Sequence, residues 1–383
     1  MTERLYYTDC YLRDFDARIA AIDGGKVYLD RTAFYPASGG QPSDTGTLGS
    51  ARVVDVIDEG ERIAHIIDGS VAGEDVNGRI DWPRRFDHMQ QHTGQHLLSA
   101  VLVELFGMQT VSFHMGQEVS TIDLATPSLS HEQIARAEQR ANEIVCENRP
   151  VSISFQNSEE ETGLRKASQR EGVLRVISIE NLDRSACGGT HLRSTGEAGP
   201  ILLRKLEKLR GNIRIEFLCG HRAVRRARAD YDALARIGHA FSSPLDETPV
   251  LVEAQLEKAR DSEKSVRRLR VELAGFHGRA LYEDTAPDGD GVRRVTEHGP
   301  IDDDLRARAQ AFASGAKAIF LALSNDPPSV LLAVSADSGV NAAAVLKAAL
   351  AEAGGRGGGS ATLAQGSVPS HEALQALTSK LKL

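Results

Sequence analysis

Two short runs, far apart in the chain, constrain it more than any other feature: QQHTGQHLL (90–98) and ACGGTH (186–191). Three residues separate His92 from His96, and three separate Cys187 from His191. On a helix, positions i and i+4 share a face, so the two histidines can aim at one ion. Gly188 and Gly189 let the backbone bend tightly enough for Cys187 and His191 to converge. Imidazole nitrogen and thiolate are the ligands Zn2+ prefers, and zinc would hold Cys187 deprotonated. A fold that uses both clamps must bring them together around one cation. His88 lies one turn before His92, so it is an alternative member of the helical pair, a neighbour of the site, or a surface residue.

Four protein ligands make a closed, structural zinc site, whereas three plus water make a catalytic one. Both remain open on these residues alone. A zinc protease of the His-Glu-x-x-His kind is disfavoured, because Thr93, Gly94 and Gln95 stand between the histidines and supply no glutamate base.

At 383 residues the chain is too long for one ordinary core, and two or three domains are expected. Its apolar share of 41% and charged share of 26% are those of a globular protein, without an apolar run long enough to cross a bilayer. The start, MTERLYYTDCYLRDFD, lacks the basic-then-apolar pattern of a secretory signal. Cys10, Cys146, Cys187 and Cys219 are scattered, which argues for a reducing compartment and a cytoplasmic location. Cys10, Cys146 and Cys219 read as small packed hydrophobes. The net charge of −8 is opposite in sign to a nucleic-acid binder's usual footprint, although a local patch suffices. The candidates are RKLEKLRGNIR (204–214) and HRAVRRARAD (221–230), which read equally well as solvated faces.

The pattern predicts an α+β and α/β multidomain chain. Residues 1–85 form a β-rich, barrel-like N-terminal domain. Its hairpins turn at Gly24-Gly25 and near Glu59-Gly60, and the loop FYPASGGQPSDTGTLG (34–49) separates them. Residues 86–230 form an α/β domain. It has a helix from Asp87, as N-cap, to about Leu105, and a second helix between Ser130 and Pro150. The strands VSISFQ, LRVISI and NIRIEFLCG follow, with ACGGTH as a loop. Residues 231–282 are a helical linker with apolar residues at roughly heptad spacing, either one long exposed helix or an antiparallel pair, suited to a homodimer. Residues 283–383 form a C-terminal α/β domain. His114, in VSFHMG, is a candidate pocket residue whose plainer and preferred reading is a satisfied strand histidine, and Thr93 is another that reads equally as helix surface.

HTGQHLL followed by CGGTHLRSTGEAGPI resembles the editing domain of alanyl-tRNA synthetases and its free-standing relatives, the AlaX alanyl-tRNA editing proteins. The segment YPASGGQPSDTG is similar to that family's glycine-rich segment, with Ser38 where a third glycine is common. The run GGRGGGSATLAQGS (354–367) resembles the end of the RNA-binding C-terminal domain of alanyl-tRNA synthetases, associated also with DHH phosphoesterases.

The resemblance covers most of the chain and implies the following. His92, His96, Cys187 and His191 hold Zn2+. The reaction is hydrolysis, in trans, of the ester joining a wrong amino acid, Ser or Gly, to the acceptor end of tRNA(Ala). A pocket cut for alanine rejects such small differences by only about 10–200-fold, so a second hydrolytic sieve is needed. Thr93 and His114 are the next residues expected at the catalytic pocket. Gly39, Gly40 and Gln41 form the expected substrate loop; SGGQ is similar to the Gly-Gly-Gln loop of release factors, and a merely structural loop is the alternative. Arg356, Gly357, Gly358 and Gly359 alone read as a flexible turn; with the resemblance they become a tRNA contact, Arg356 meeting phosphate. The alternative function is a non-catalytic tRNA-binding protein with a structural zinc site. A DHH-type phosphoesterase ranks last, because the chain contains no Asp-His-His.

Overall fold

Period-two burial shapes the N-terminal part of the chain. The strands there are β1 (Glu3–Arg4), β2 (Asp14–Asp23), β3 (Lys26–Leu29), β4 (Arg31–Thr32), β5 (Gly46–Leu48), β6 (Ala51–Asp58), β7 (Ile63–Asp68) and β8 (Asp75–Ile80). In β8 the residues alternate, with Val76, Gly78 and Ile80 inward. In β6 the inward positions are Ala51, Val53 and then Val56, because a register shift between Val53 and Asp55 moves the phase by one residue. These faces close a six-stranded barrel in the order β2-β3-β7-β6-β5-β8, filled by Phe15, Val27, Phe34, Leu48, Val53 and Ile63 among others. The segment 34–49 is therefore not wholly loop: its end, β5, pairs with both β6 and β8 and completes the barrel.

The computed structural model describes residues 1–159, 163–167 and 171–381. The chain divides into two compact units, Met1–Arg236 and Ile237–Leu383. The whole is a mixed α/β multidomain architecture, with one closed barrel and several open sheets.

Beyond the barrel, the first unit continues through α1 (Trp82–Phe106), β9 (Thr110–Met115), β10 (Ser120–Leu124), α2 (His131–Glu147), β11 (Val151–Asn157), β12 (Val173–Ile179), β13 (Asp183–Ala186), β14 (Ile201–Leu209) and β15 (Asn212–Cys219). The strands form an antiparallel four-stranded sheet, β14-β15-β10-β9, and a three-stranded one, β11-β12-β13. Leu97, Leu98, Val101 and Leu102 of α1 pack with Ile122, Ile213, Ile215 and Phe217 of the larger sheet and with Ala137, Ala141 and Ile144 of α2.

Helix α1 starts a turn and a half earlier than its apolar pattern suggested. Its N-cap is Asp81, whose side chain accepts from Arg84 N, and Pro83 stands in its first turn. Asp87 is not a cap: it is inside the helix and paired with Arg222. From His88 to Leu102 every residue of α1 is buried, polar ones included. Such a helix is tenable only if its polar side chains find partners. Gln91 exchanges two hydrogen bonds with the backbone of Cys219, and Gln90 donates to the carbonyl of Glu197.

After α3 (Gly220–Phe241) comes α4 (Thr248–Asp284), a single long helix. It is followed by β16 (Arg293–His298), α5 (Asp303–Ala313), β17 (Ala318–Asn325), β18 (Pro328–Val334), α6 (Ala342–Glu352), β19 (Arg356–Gly359), β20 (Leu363–Ser367) and α7 (His371–Lys380). The sheet runs β16-β17-β18-β20-β19, with β16 and β17 parallel. Arg356–Gly359, expected as a turn, is instead the edge strand β19, antiparallel to β20 from Arg356↔Ser367 to Gly359↔Ala364. No described helix is long and apolar enough to cross a membrane.

Candidate functional site

Helix α1 and the loop after β13 meet where both clamps lie. One ligand atom from each of His92, His96, Cys187 and His191 falls within 4.8 Å of all the others, and the three histidines are buried. Cys187 Sγ is 3.5 Å from His92 Nε2 and 3.3 Å from His191 Nε2. The inward-facing atoms of those two rings are thus their Nε2 nitrogens.

Each outward nitrogen has a protein partner. His92 Nδ1 lies 2.7 Å from Gln41 Oε1, His96 Nδ1 3.1 Å from Asp183 Oδ2, and His191 Nδ1 3.2 Å from Thr93 Oγ1. A partner on the outer nitrogen fixes the tautomer and turns the inner lone pair toward a cation. Gln41 is itself pinned: its amide donates to Thr190 Oγ1, and its carbonyl also accepts from Thr190 N. Asp183 accepts from Arg165 Nε at 2.7 Å and from Ser185 Oγ.

The electrostatics suit a cation. Burial works against a thiolate at Cys187, yet His92 and His191 hold its pKa well below the ordinary value. Burial also disfavours protonation of His96, but its hydrogen bonds to Asp183 and Cys187 prevail and raise it to about 9. Burial and the neighbouring His92 lower His191 to about 3. Asp183 drops to about 2, because its pairing with His96 and Arg165 outweighs its burial. A thiolate and three oriented histidine rings in one place form a donor set for a borderline-soft divalent ion, with His96 giving up its proton to such an ion.

Arg175 holds the loop that bears Cys187. Its Nη1 donates to the carbonyls of Cys187 and Gly189, and its Nε to that of Tyr7. Arg85, wholly buried, ties α1 to the barrel through Asp44, the Cys10 carbonyl and the Ala33 carbonyl. Neither arginine stood out in the sequence. The signal available for Arg85 was its place in the helix that carries the histidines.

Two glycines are required by close approach. A Cβ on Gly189 would sit 2.1 Å from His92 Cε1, and one on Gly94 would sit 2.2 Å from Cys219 Sγ. Gly94 lets β15 press against α1 between the two histidine ligands.

The remaining expected residues are distributed differently. Thr93 is buried behind His191, accepts from Leu192 N, and orients that ring rather than facing a pocket. His114 is not brought to the site. On β9 its neighbour Phe113 faces inward, with its ring 5.5 Å from that of His92, so strand alternation sends His114 to the exposed face. Gly39 lines the cavity above the cluster, and Gly40 packs against Phe113. His88 is buried and is not among the four clustered donors. Arg356, Gly357, Gly358 and Gly359 belong to the second unit, where all are exposed.

A cavity of about 620 Å³ opens onto the cluster. His92, His96 and Cys187 line it, with Tyr6, Arg165 and Lys166 on its walls. It is large enough for a small ligand or the end of a longer one.

Comparison with known proteins fits this architecture. Residues 8–84 match the model of class II (A) tRNA synthetases, residues 174–216 that of the threonyl and alanyl tRNA synthetase second additional domain, and residues 297–383 that of the DHHA1 domain. The alanyl-tRNA editing protein AlaX-L of Pyrococcus horikoshii is 33% identical, over 96% of this chain and 95% of that one. Alanine–tRNA ligases of Pyrococcus abyssi and Pyrobaculum neutrophilum are 32% and 36% identical over 100% and 95% of this chain. The chain spans less than half of those two ligases, 44% and 42% of their lengths. Most of the barrel lies within the first of these family matches, and Cys187 and His191 lie within the second. The chain belongs to the alanyl-tRNA editing protein family, in its long AlaX-L form.

Proposed function

We propose that the chain is a trans-editing hydrolase that cleaves the ester of mischarged tRNA(Ala). Seryl-tRNA(Ala) is the first substrate and glycyl-tRNA(Ala) the second. The observation that carries this reading is that three of the four clustered donors line the cavity, so the centre is open to a ligand. Zn2+ is the ion that best matches one thiolate and three imidazoles whose outer nitrogens are already engaged. His92, His96, Cys187 and His191 would hold it, and it would supply Lewis-acid polarisation of a substrate oxygen or nitrogen.

The chain's own residues do the rest. Gln41, Asp183 and Thr93 orient the histidines. Lys166 gives the cavity wall a positive charge suited to an RNA 3′ end, while the charge of Arg165 is held against Asp183. The Tyr6 hydroxyl is buried, lines the cavity and lacks a hydrogen-bond partner among the described residues. A seryl hydroxyl can partner it and an alanyl methyl cannot, a difference worth roughly 1–3 kcal/mol.

In the second unit, exposed Arg356 and the exposed backbone of Gly357, Gly358 and Gly359 are the proposed tRNA contact. The apolar residues Val266, Leu269, Leu273 and Phe276 on α4, each more than half exposed, support a homodimer through that helix. Four free cysteines fit a reducing cytoplasm.

A second reading, a tRNA-binding protein with a purely structural zinc, draws on the completeness of the four-donor set. One experiment separates the two: deacylation of Ser-, Gly- and Ala-charged tRNA(Ala) by purified protein, with a metal-stripped control. Loss of hydrolysis with fold and tRNA binding retained supports the hydrolase. Loss of folding supports the structural site.

A further inference from the structure

Near its start, α1 borders a second hollow of about 460 Å³, lined by Pro42, Arg84, Asp87, His88, Gln117 and Arg222 among others. His88 is 3% exposed, and its Nδ1 has no hydrogen-bond partner among the described residues. Buried polar nitrogens without partners are rare, and each one calls for an explanation. Burial and the nearby Arg84 keep the ring neutral, with a pKa lowered to about 4, so it offers one N–H and one lone pair.

The two arginines in the hollow differ. Arg222 is fully engaged: it grips Asp87 with Nε and Nη2 at 2.7–3.0 Å and donates from Nη1 to the Gly116 carbonyl. Arg84 donates from Nε to the Ser43 carbonyl at 3.1 Å, and no described carboxylate pairs with its guanidinium. The hollow therefore combines a charge-compensated wall, one uncompensated guanidinium and one unsatisfied imidazole. A guanidinium fork beside a neutral hydrogen-bonding ring matches the tetrahedral oxygens of a phosphate group.

We infer that this hollow binds a phosphodiester of the RNA partner, held by Arg84 and His88. That the phosphate belongs to RNA rests on the function proposed above; that the hollow takes a phosphate group rests on its own residues. Pro42 lines the hollow and the adjacent Gln41 orients His92, so a strand seated here would brace the loop that sets one metal ligand.

The test uses the full-length, metal-loaded chain labelled at its histidine nitrogens. The probes are inorganic phosphate and an uncharged RNA hairpin with a single-stranded 3′ end. Binding of either probe in the hollow shifts the His88 ring resonances. The proposal expects RNA to shift them at lower concentration than phosphate. It further expects Arg84→Met to abolish the phosphate response, weaken RNA binding about tenfold, and reduce the log K against log [salt] slope by about 0.7. His88→Gln, which keeps a hydrogen-bonding group, should bind RNA better than His88→Leu. A response to phosphate alone would overturn the RNA assignment in favour of a free-anion site. RNA affinity and salt slope unchanged in Arg84→Met would overturn the hollow altogether. Because the hairpin carries no amino acid, this result is independent of hydrolysis: deacylation can fail with the hollow intact, or proceed with the hollow empty.

Discussion

Gln41 and His92 meet at 2.7 Å, carbonyl oxygen to Nδ1, although they stand 51 positions apart in the chain. The barrel loop thereby reaches into the other half of the unit and sets the tautomer of a metal-facing ring. Gln41 acts as a positioning residue: its buried carbonyl serves both His92 and Thr190 N, and its NH2 donates to Thr190 Oγ1.

Gln41→Ala should lower zinc affinity about 10–100-fold, the usual cost of losing such an outer partner, with the secondary structure unchanged. Gln41→Glu keeps an acceptor and should lose less. Competition against a chromophoric chelator measures both, and equal affinity in all three proteins would remove this role from Gln41.

Cys187→Ala removes the sulfur that lies against two of the imidazoles. Metal content should fall, and hydrolysis of seryl-tRNA(Ala) should disappear. Full activity in this variant would falsify the metal assignment.

Gly189→Ala places a methyl carbon where His92 Cε1 lies 2.1 Å away. The ring has to move, so the variant should lose metal and be destabilised by about 1–3 kcal/mol. Elemental analysis and a denaturant midpoint read the two effects separately. A variant that retains both would mean that the loop yields instead of the ring.

His65 sits inside the barrel between the Val27 carbonyl, 2.9 Å from its Nδ1, and Thr32 Oγ1, 2.8 Å from its Nε2. Burial lowers its pKa from 6.5 to about 4. The unfolded chain therefore takes up a proton across this window that the folded chain refuses. The stabilisation is present above pH 6.5 and lost as pH falls toward 4, by up to about 3 kcal/mol. His88 and His191 shift in the same direction, so His65→Gln should remove only about a third of the acid sensitivity carried by these histidines. Denaturant midpoints at pH 7 and pH 5 give the comparison; an unchanged pH dependence would show that His65 is not its source.

The seam Val266, Leu269, Leu273 and Phe276 on α4 repeats at spacings of three and four, the pattern of a helix–helix contact. The double substitution Leu269→Glu with Leu273→Glu should convert a dimer to a monomer in light scattering while leaving the fold intact. A wild-type chain that is already monomeric at micromolar concentration would end this proposal.

Several elements were legible because their signals are local. The hairpin turning at Gly24-Gly25 and the helix α2 that starts after Ser130 depend on neighbouring residues alone. The start of α1 was misread because a cap at Asp81 and a proline at position 83 precede any apolar period. The direction of His114 was not legible because the parity of a strand position is set by which face is buried, and a short strand does not reveal that. The glycine run at 357–359 looked like a turn because glycine disfavours strands; pairing with β20 overrode the preference.

By itself the sequence determined the donors: residue type and spacing named two histidines, a cysteine and a third histidine as capable of sharing one ion. Only the tertiary structure decided what surrounds them. Gln41, Asp183 and Thr93 behind the rings, Arg175 under the loop, and a cavity that meets three of the four donors are all long-range contacts. Ligand chemistry resides in single side chains and short repeats, so it can be read along the chain. Orientation and access arise from segments brought together by burial, which no local pattern records.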